Sequence, residues 1–297
     1  MVSGVGWRLF KPLGLSAEET RKVLTTAVYY LFLPAMVLEV LWAAELGSRT
    51  LHYMALGVAS ILFGALSLWL LGLMFKFERK CLGAILLASA FPNVTYMGLP
   101  VLEQTFGAWT RSVVIQMDLF AASPLLFTLG IMVARHYGKD GSEKREAVWS
   151  FLNAPPFWAA GVAVLLNLNG LNSPVWLTGT LKLLSGAVVP LMLFSLGLAL
   201  SWKAVRFRSI PYIIPVVIIK MVLMPLFAII LVDQLAMPNN YKAAAVLDLA
   251  MPSMVLGIVL CDRYQLDSSL YAMAVTVTTG LSLIGLPFWY QVLIARF

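Results

Sequence analysis

Three ionisable residues stand in runs where lipid is the expected surrounding. Lys220 follows Arg208 by 12 residues and precedes Asp233 by 13, with no other charge between. At 1.5 Å rise per helical residue it lies roughly 18–20 Å from either end. Asp118 follows Arg111 by 7 residues and Asp248 follows Lys242 by 6, which places both about 9–10 Å deep. A charge costs about 2.5–3.5 kcal/mol at a helix centre on insertion scales, so all three are expected to face protein or a water-filled cavity. The chemistry has two readings. One is a buried pair between Lys220 and Asp118 or Asp248. The other is a site where Lys220 meets an anion while the two carboxylates serve coupling. Glu39 and Glu103 fall nearer the helix ends and are expected to be solvated.

Two further segments carry backbone chemistry. FPNVTYMGLP, residues 91–100, has Pro92, Asn93, Gly98 and Pro100 inside one uncharged run. Each proline removes a donor, and lipid cannot satisfy the carbonyl that is freed, so such a break needs protein or water around it. AMPSMVLG, residues 250–257, repeats the device at Pro252 and Ser253. Paired broken helices are a feature of inverted-repeat carriers, whose half-helix N-termini meet an anion at the midplane with partial positive charge. The half-helix starts are expected after Pro100 and Pro252.

The elements that position these residues follow from composition. Hydrophobic residues make up 61% of the 297 and charged residues 12%, against about 25% charged in soluble domains. Runs such as 51–75, 183–202 and 268–295 hold no Asp, Glu, Lys or Arg, long enough to span the hydrocarbon core. They are continuously apolar, which excludes a β-barrel. Helices are predicted at 23–42, 51–75, 82–105, 112–134, 153–169, 176–201, 210–232, 242–262 and 269–294, after a short apolar segment. The fold class is therefore an all-α polytopic membrane protein.

Gly14-Leu15 recurs as Gly170-Leu171 and Pro34 as Pro190, both at an offset of 156, while Pro100 and Pro252 are 152 apart. Two five-helix repeats are inferred: residues 1–138, with a shortened first helix, and residues 148–297, joined by a linker at 139–147. An odd number of crossings makes the halves inverted. Fifteen of the 21 Lys and Arg fall on one side, in the groups Arg8–Lys11, Arg21–Lys22, Lys76–Lys80, Arg135–Arg145, Lys203–Arg208 and Arg263. That asymmetry predicts a cytoplasmic linker in a plasma (inner) membrane protein. The net charge of +7 lies between apolar runs rather than on a polar face, so nucleic acid is excluded as a partner.

At these residues the chain resembles a known family. PNVTYMGLPVLEQTFG resembles the fourth-helix crossover of the auxin efflux carriers, the PIN-like family of the bile acid/auxin/arsenite transporter superfamily. VVPLMLFSLGLAL, KMVLMPL and AMPSMVLGIVLCDRYQLD resemble its seventh, eighth and ninth helices, and FLNAPPFWAAG the start of its sixth. The resemblance runs from about Arg8 to the C-terminus. It implies ten helices, a scaffold of helices 1, 2, 6 and 7, and a transport domain of helices 3–5 and 8–10 in which helices 4 and 9 cross. Members export auxin in plants and move small organic acids such as malate or malonate in bacteria. The brief linker fits a bacterial-type member. The third helix, Leu51–Phe75, holds no acid, so the carboxylate role ascribed there in plant members has no counterpart.

The expected function is an elevator-type secondary carrier of a small organic anion, not an enzyme. HExxH, G-x-S-x-G and P-loop patterns are missing from the sequence. The expected substrate-binding residues are Asn93, Tyr96, Met97, Gly98, Pro100, Ser195, Lys220, Pro252 and Ser253. Asp118, Asp248 and Lys220 are the expected coupling or charge-pair residues. No cofactor or metal is expected, and the coupling ion is left open among proton, sodium or neither. The partners are the organic anion and the bilayer, with a homodimer allowed. A sodium-coupled organic-anion symporter of the bile-acid type, or a membrane sensor or channel, are the rival readings.

Overall fold

The computed structural model describes residues 2–44, 46–75, 77–138, 154–199 and 207–297. Among them ten helical units follow in chain order. They are α1 (Val2–Phe10), α2 (Ala17–Trp42), α3 (Ser48–Phe75), the broken α4 (Arg79–Ala90, then Val94–Gly98 running on into Leu99–Phe106) and α5 (Thr110–Tyr137). Then come α6 (Pro155–Leu168), α7 (Val175–Leu198), α8 (Ile210–Asp233), the broken α9 (Asn239–Leu249 and Gly257–Arg263) and α10 (Ser268–Arg296). Six of them are apolar and 24–29 residues long, enough to cross a membrane. The chain is a polytopic membrane protein. The linker at 139–147, Asn153, Lys76, Lys203 and Arg206 lie outside the described residues.

Local chemistry explains where helices begin. Ser16 Oγ accepts from the Glu19 amide at 3.1 Å while the Glu19 carboxylate accepts from the Ser16 amide at 3.3 Å, a reciprocal cap that starts α2. α2 therefore begins six residues before the predicted boundary. Asp267 caps α10 by accepting from the Leu270 amide at 2.9 Å. The recurrence of Gly14 and Gly170 has a backbone reason. Both take positive φ, 75° and 62°, just before the turn into the next helix.

Prolines leave a second signature. Wide turns with i→i+5 spacing occupy Val28–Phe32, Val94–Gly98, Asp118–Ala122 and Ile219–Leu223. Each ends two residues before a proline: Pro34, Pro100, Pro124 and Pro225. A proline ring clashes with the carbonyl four residues back, and widening the turn moves that carbonyl aside. Pro100 therefore bends its helix without ending it. The break in α4 lies earlier, at residues 91–93, so the second half starts at Val94 rather than after Pro100 as expected.

Two sets of helices pack mainly among themselves. α2 lies against α6 and α7, and α1 against α7. The α1–α7 approach is close: a Cβ on Gly4 would stand 2.3 Å from the Phe194 carbonyl. α3, α4, α5, α8, α9 and α10 form the other set. One end of the molecule gathers Arg8 with Glu18 and the Leu198 carbonyl, and Arg79 with the His136 carbonyl. The far end gathers Arg111 with Glu103, Arg49 over Tyr241, and Arg296 with Asp233.

Candidate functional site at the helix crossing

The broken strands of α4 and α9 cross and hydrogen-bond to each other. The Asn93 amide donates to the Pro252 carbonyl at 2.8 Å, and the Met254 amide donates to the Phe91 carbonyl at 2.9 Å. Pro92 and Ser253 thus face each other in a single antiparallel bridge. Each break satisfies backbone groups that the other leaves open, which is how irregular chain persists at membrane depth. The Ser253 amide is held by Thr278 Oγ1 at 3.2 Å on α10, and Tyr271 donates to the Met254 carbonyl at 2.5 Å.

Around this bridge the polar side chains divide. Asn93 is 1% exposed, and neither its Oδ1 nor its Nδ2 has a partner among the described residues. Ser253, fully buried, also has an unpartnered hydroxyl. Asp118 is differently placed: Oδ2 accepts from Thr95 Oγ1 at 2.5 Å and Oδ1 from Ser123 Oγ at 2.8 Å. Thr95 belongs to the crossing and Ser123 to α5, so the carboxylate ties the two. The spacing around Pro124 exposes that role, since the wide turn beginning at Asp118 brings Ser123 back under the carboxylate.

Asn93, Thr95, Tyr96 and Asp118 line one cavity of about 60 Å³. Its apolar wall is Tyr29 and Leu33 of α2, Phe127 of α5, Phe157 of α6, and Met254 and Leu256 of the α9 break. None of its lining residues is basic. Tyr96 and Leu256 also border a larger pocket of about 360 Å³ that includes Arg21, Lys22 and Ser195. Tyr96 and Leu256 are thus the wall shared by the cavity at the crossing and the pocket that carries Arg21. At the other end Arg111 of α5 binds Glu103 through two nitrogens, at 2.5 and 2.9 Å, and reaches Ser185 Oγ of α7 at 3.4 Å. Glu103, expected to be solvated, is instead paired, with its side chain 17% exposed. Glu39 Oε2 is buried as well.

The structure brings together Asn93, Tyr96, Pro252 and Ser253 at the crossing, with Met97, Gly98 and Pro100 buried behind it. Ser195 borders the larger pocket, not the cavity. Lys220 goes elsewhere. It is fully buried, and its ammonium donates to the Ala90 carbonyl at 3.3 Å, with Met224 Sδ at 3.4 Å. Ala90 ends the first half of α4, where orphan carbonyls and the negative end of the helix dipole attract a cation. The wide turn before Pro225 aims Lys220 at that end. Of the two readings, the Lys–Asp pair does not form: among the described residues no carboxylate lies within ion-pair distance of Lys220, and Asp248 accepts no hydrogen bond. Sequence reasoning missed Thr95, Ser123 and the Ala90 carbonyl, because a hydroxyl or carbonyl partner leaves no charge pattern.

Comparison with known proteins supplies the class. The chain is 31% identical to an uncharacterized transporter of Methanothermobacter thermautotrophicus, over 96% of this chain and 93% of the relative. It is 29% identical, with the same coverage, to the uncharacterized transporter MJ1031 of Methanocaldococcus jannaschii. The uncharacterized transporter YfdV of Escherichia coli is 23% identical over 69% of this chain and 66% of the relative. A model of the family described as membrane transport protein matches residues 1–290. With its crossed broken helices in a polytopic fold, the chain belongs to this PIN-like family of membrane transport proteins, and it is a membrane transporter.

Proposed function

We propose that this transporter is a secondary carrier of a small organic anion, whose carboxylate binds at the crossing of α4 and α9. The Asn93 amide carries the reading. A buried primary amide with no partner on either atom is rare in folded proteins, and this one lines a cavity. Its Nδ2 is a donor for a carboxylate oxygen. Beside it, the amides of residues 94–96 open the second half of α4, where a helix start favours negative charge. The aromatic wall of Tyr29, Tyr96 and Phe127 suits an apolar body on the anion.

Movement follows from the packing. The α1, α2, α6 and α7 set acts as scaffold, and the set holding the crossing moves against it between the two membrane faces. Arg21 and Lys22 mark the cytoplasmic mouth under the positive-inside rule. The conformation described is then inward-facing, with Arg111 reaching Ser185 across the outer closure. Asp118 in the cavity, without a basic neighbour, favours a cation travelling with the anion, which keeps sodium symport as the second reading.

A thermal-shift screen of carboxylic acids on purified protein, with and without sodium, tests the proposal. A hit such as malonate should lose roughly tenfold or more in affinity with Asn93→Ala, since a hydrogen bond to a charged group contributes about 1.5–3 kcal/mol. An unchanged affinity places the site elsewhere. Failure of labelled substrate to exchange by counterflow would make the protein a channel or sensor.

A further inference from the structure

Asp248 lies one residue before the end of the first half of α9, fully buried, with neither carboxylate oxygen accepting a hydrogen bond from the described residues. Its place is built into the crossing. A Cβ on Gly98 would stand 2.0 Å from Asp248 Oδ1, so the carboxylate fills the space that a side chain at position 98 would need. Asp118, by contrast, has a hydroxyl donor on each oxygen. Two carboxylates of one crossing thus sit in opposite surroundings, the arrangement that separates a charged group from a proton carrier.

The half of α9 that carries Asp248 packs on α3, α4, α5, α8 and α10. Of the charged groups on these helices, Arg111 is bound to Glu103, Arg296 to Asp233, and Lys220 to the Ala90 carbonyl. Arg49 lies over Tyr241 at the far end, and His52 follows it on α3. The other carboxylate of the crossing, Asp118, carries the same sign and already holds two hydroxyl donors. An ionised Asp248 would therefore be a fully buried charge with no donor among the described residues, which is strongly disfavoured in a low-dielectric interior.

We propose that Asp248 is the proton site of this carrier: one proton binds its carboxylate and crosses with the substrate at the crossing. The proposal rests on the carrier reading above and names its coupling ion. Contact with Gly98 leaves room beside Oδ1 for a proton rather than for the oxygen shell of a metal ion. The proton comes from water on the side to which the carboxylate opens and returns to water on the other. No other bond is made or broken. In the conformation described the group is occluded, so the proton cannot leak without movement of the crossing.

Infrared spectra of the purified protein in potassium chloride test this without any substrate. The carbonyl stretch of a protonated carboxylic acid should lose one component in Asp248→Asn and keep it in Asp118→Asn. Retention of the full band in Asp248→Asn overturns the proposal. So does stabilisation by sodium chloride, but not potassium chloride, that Asp248→Asn abolishes, because sodium would then be the occupant. A second arm uses malonate in proteoliposomes with an internal pH dye. The wild type should move protons with malonate, and Asp248→Asn should lose that proton movement. If malonate does not move in the wild type, the carrier reading is at fault for this acid, and the infrared result still decides the proton site.

Discussion

Thr95→Val keeps side-chain volume and removes one of the two hydroxyls that hold Asp118. The bond lost is 2.5 Å long and joins the crossing to α5, while the 2.8 Å bond from Ser123 stays. A hydrogen bond to a charged group contributes about 1.5–3 kcal/mol. Chains of 150–250 residues lose about 2–4 °C in melting temperature per kcal/mol, so a fall of about 3–12 °C is expected. Tryptophan-fluorescence melts in one detergent at one scan rate would show it. The control is a double-mutant cycle with Asp118→Asn. Once the charge is gone, the same Thr95→Val step should cost less by at least about 0.5 kcal/mol. A Thr95→Val variant that melts with the wild type, or a cycle that is additive, would refute the claim that this bond ties the crossing to α5.

Three other perturbations have definite outcomes. Lys220→Met orphans the Ala90 carbonyl but no carboxylate, so melts should show none of the 3–5 kcal/mol loss, roughly, that breaking a buried ion pair brings. Rescue of a large loss by Asp118→Asn or Asp248→Asn would restore the charge-pair reading. Gly98→Ala drives a Cβ to 2.0 Å from Asp248 Oδ1 and should cost about 1–3 kcal/mol of stability, recovered when Asp248→Ala removes the obstacle. Cysteine labelling should find Lys139 accessible from the cytoplasm and Asn240 from outside; the reverse pattern overturns the orientation.

Much of the helical plan can be read from charge spacing, because an uncharged run of membrane length has one stable form in lipid. Both breaks can be read as well, since FPNVTYMGLP and AMPSMVLG leave freed carbonyls that need company. What spacing does not encode is direction. Depth along α8 places Lys220 near the membrane centre, but the wide turn before Pro225 rotates it away from the cavity and toward the end of the first half of α4. A period of 3.6 residues carried through that turn assigns the wrong face. The same limit hid Ser123, which follows Asp118 by five residues and lies off an ordinary helical stripe. Pro100 misled in a related way. Its position inside an uncharged run marks it as the start of a half-helix, whereas Pro92 marks the break and Pro100 only widens a turn.

The antiparallel bridge between Pro92 and Ser253 is made by backbone atoms on both sides: the Asn93 and Met254 amides and the Pro252 and Phe91 carbonyls. Replacing the side chains at 93, 253 or 254 leaves both bonds available, unless the newcomer is proline at 93 or 254, which lacks the donor. Mechanical union of the two broken helices is thereby separated from ligand chemistry. Descendants of this sequence are free to exchange Asn93 or Ser253 while the two helices stay pinned to each other. Under the carrier reading proposed above, diversification at this crossing needs no compensating repair of the fold, and cargo preference can drift faster than architecture.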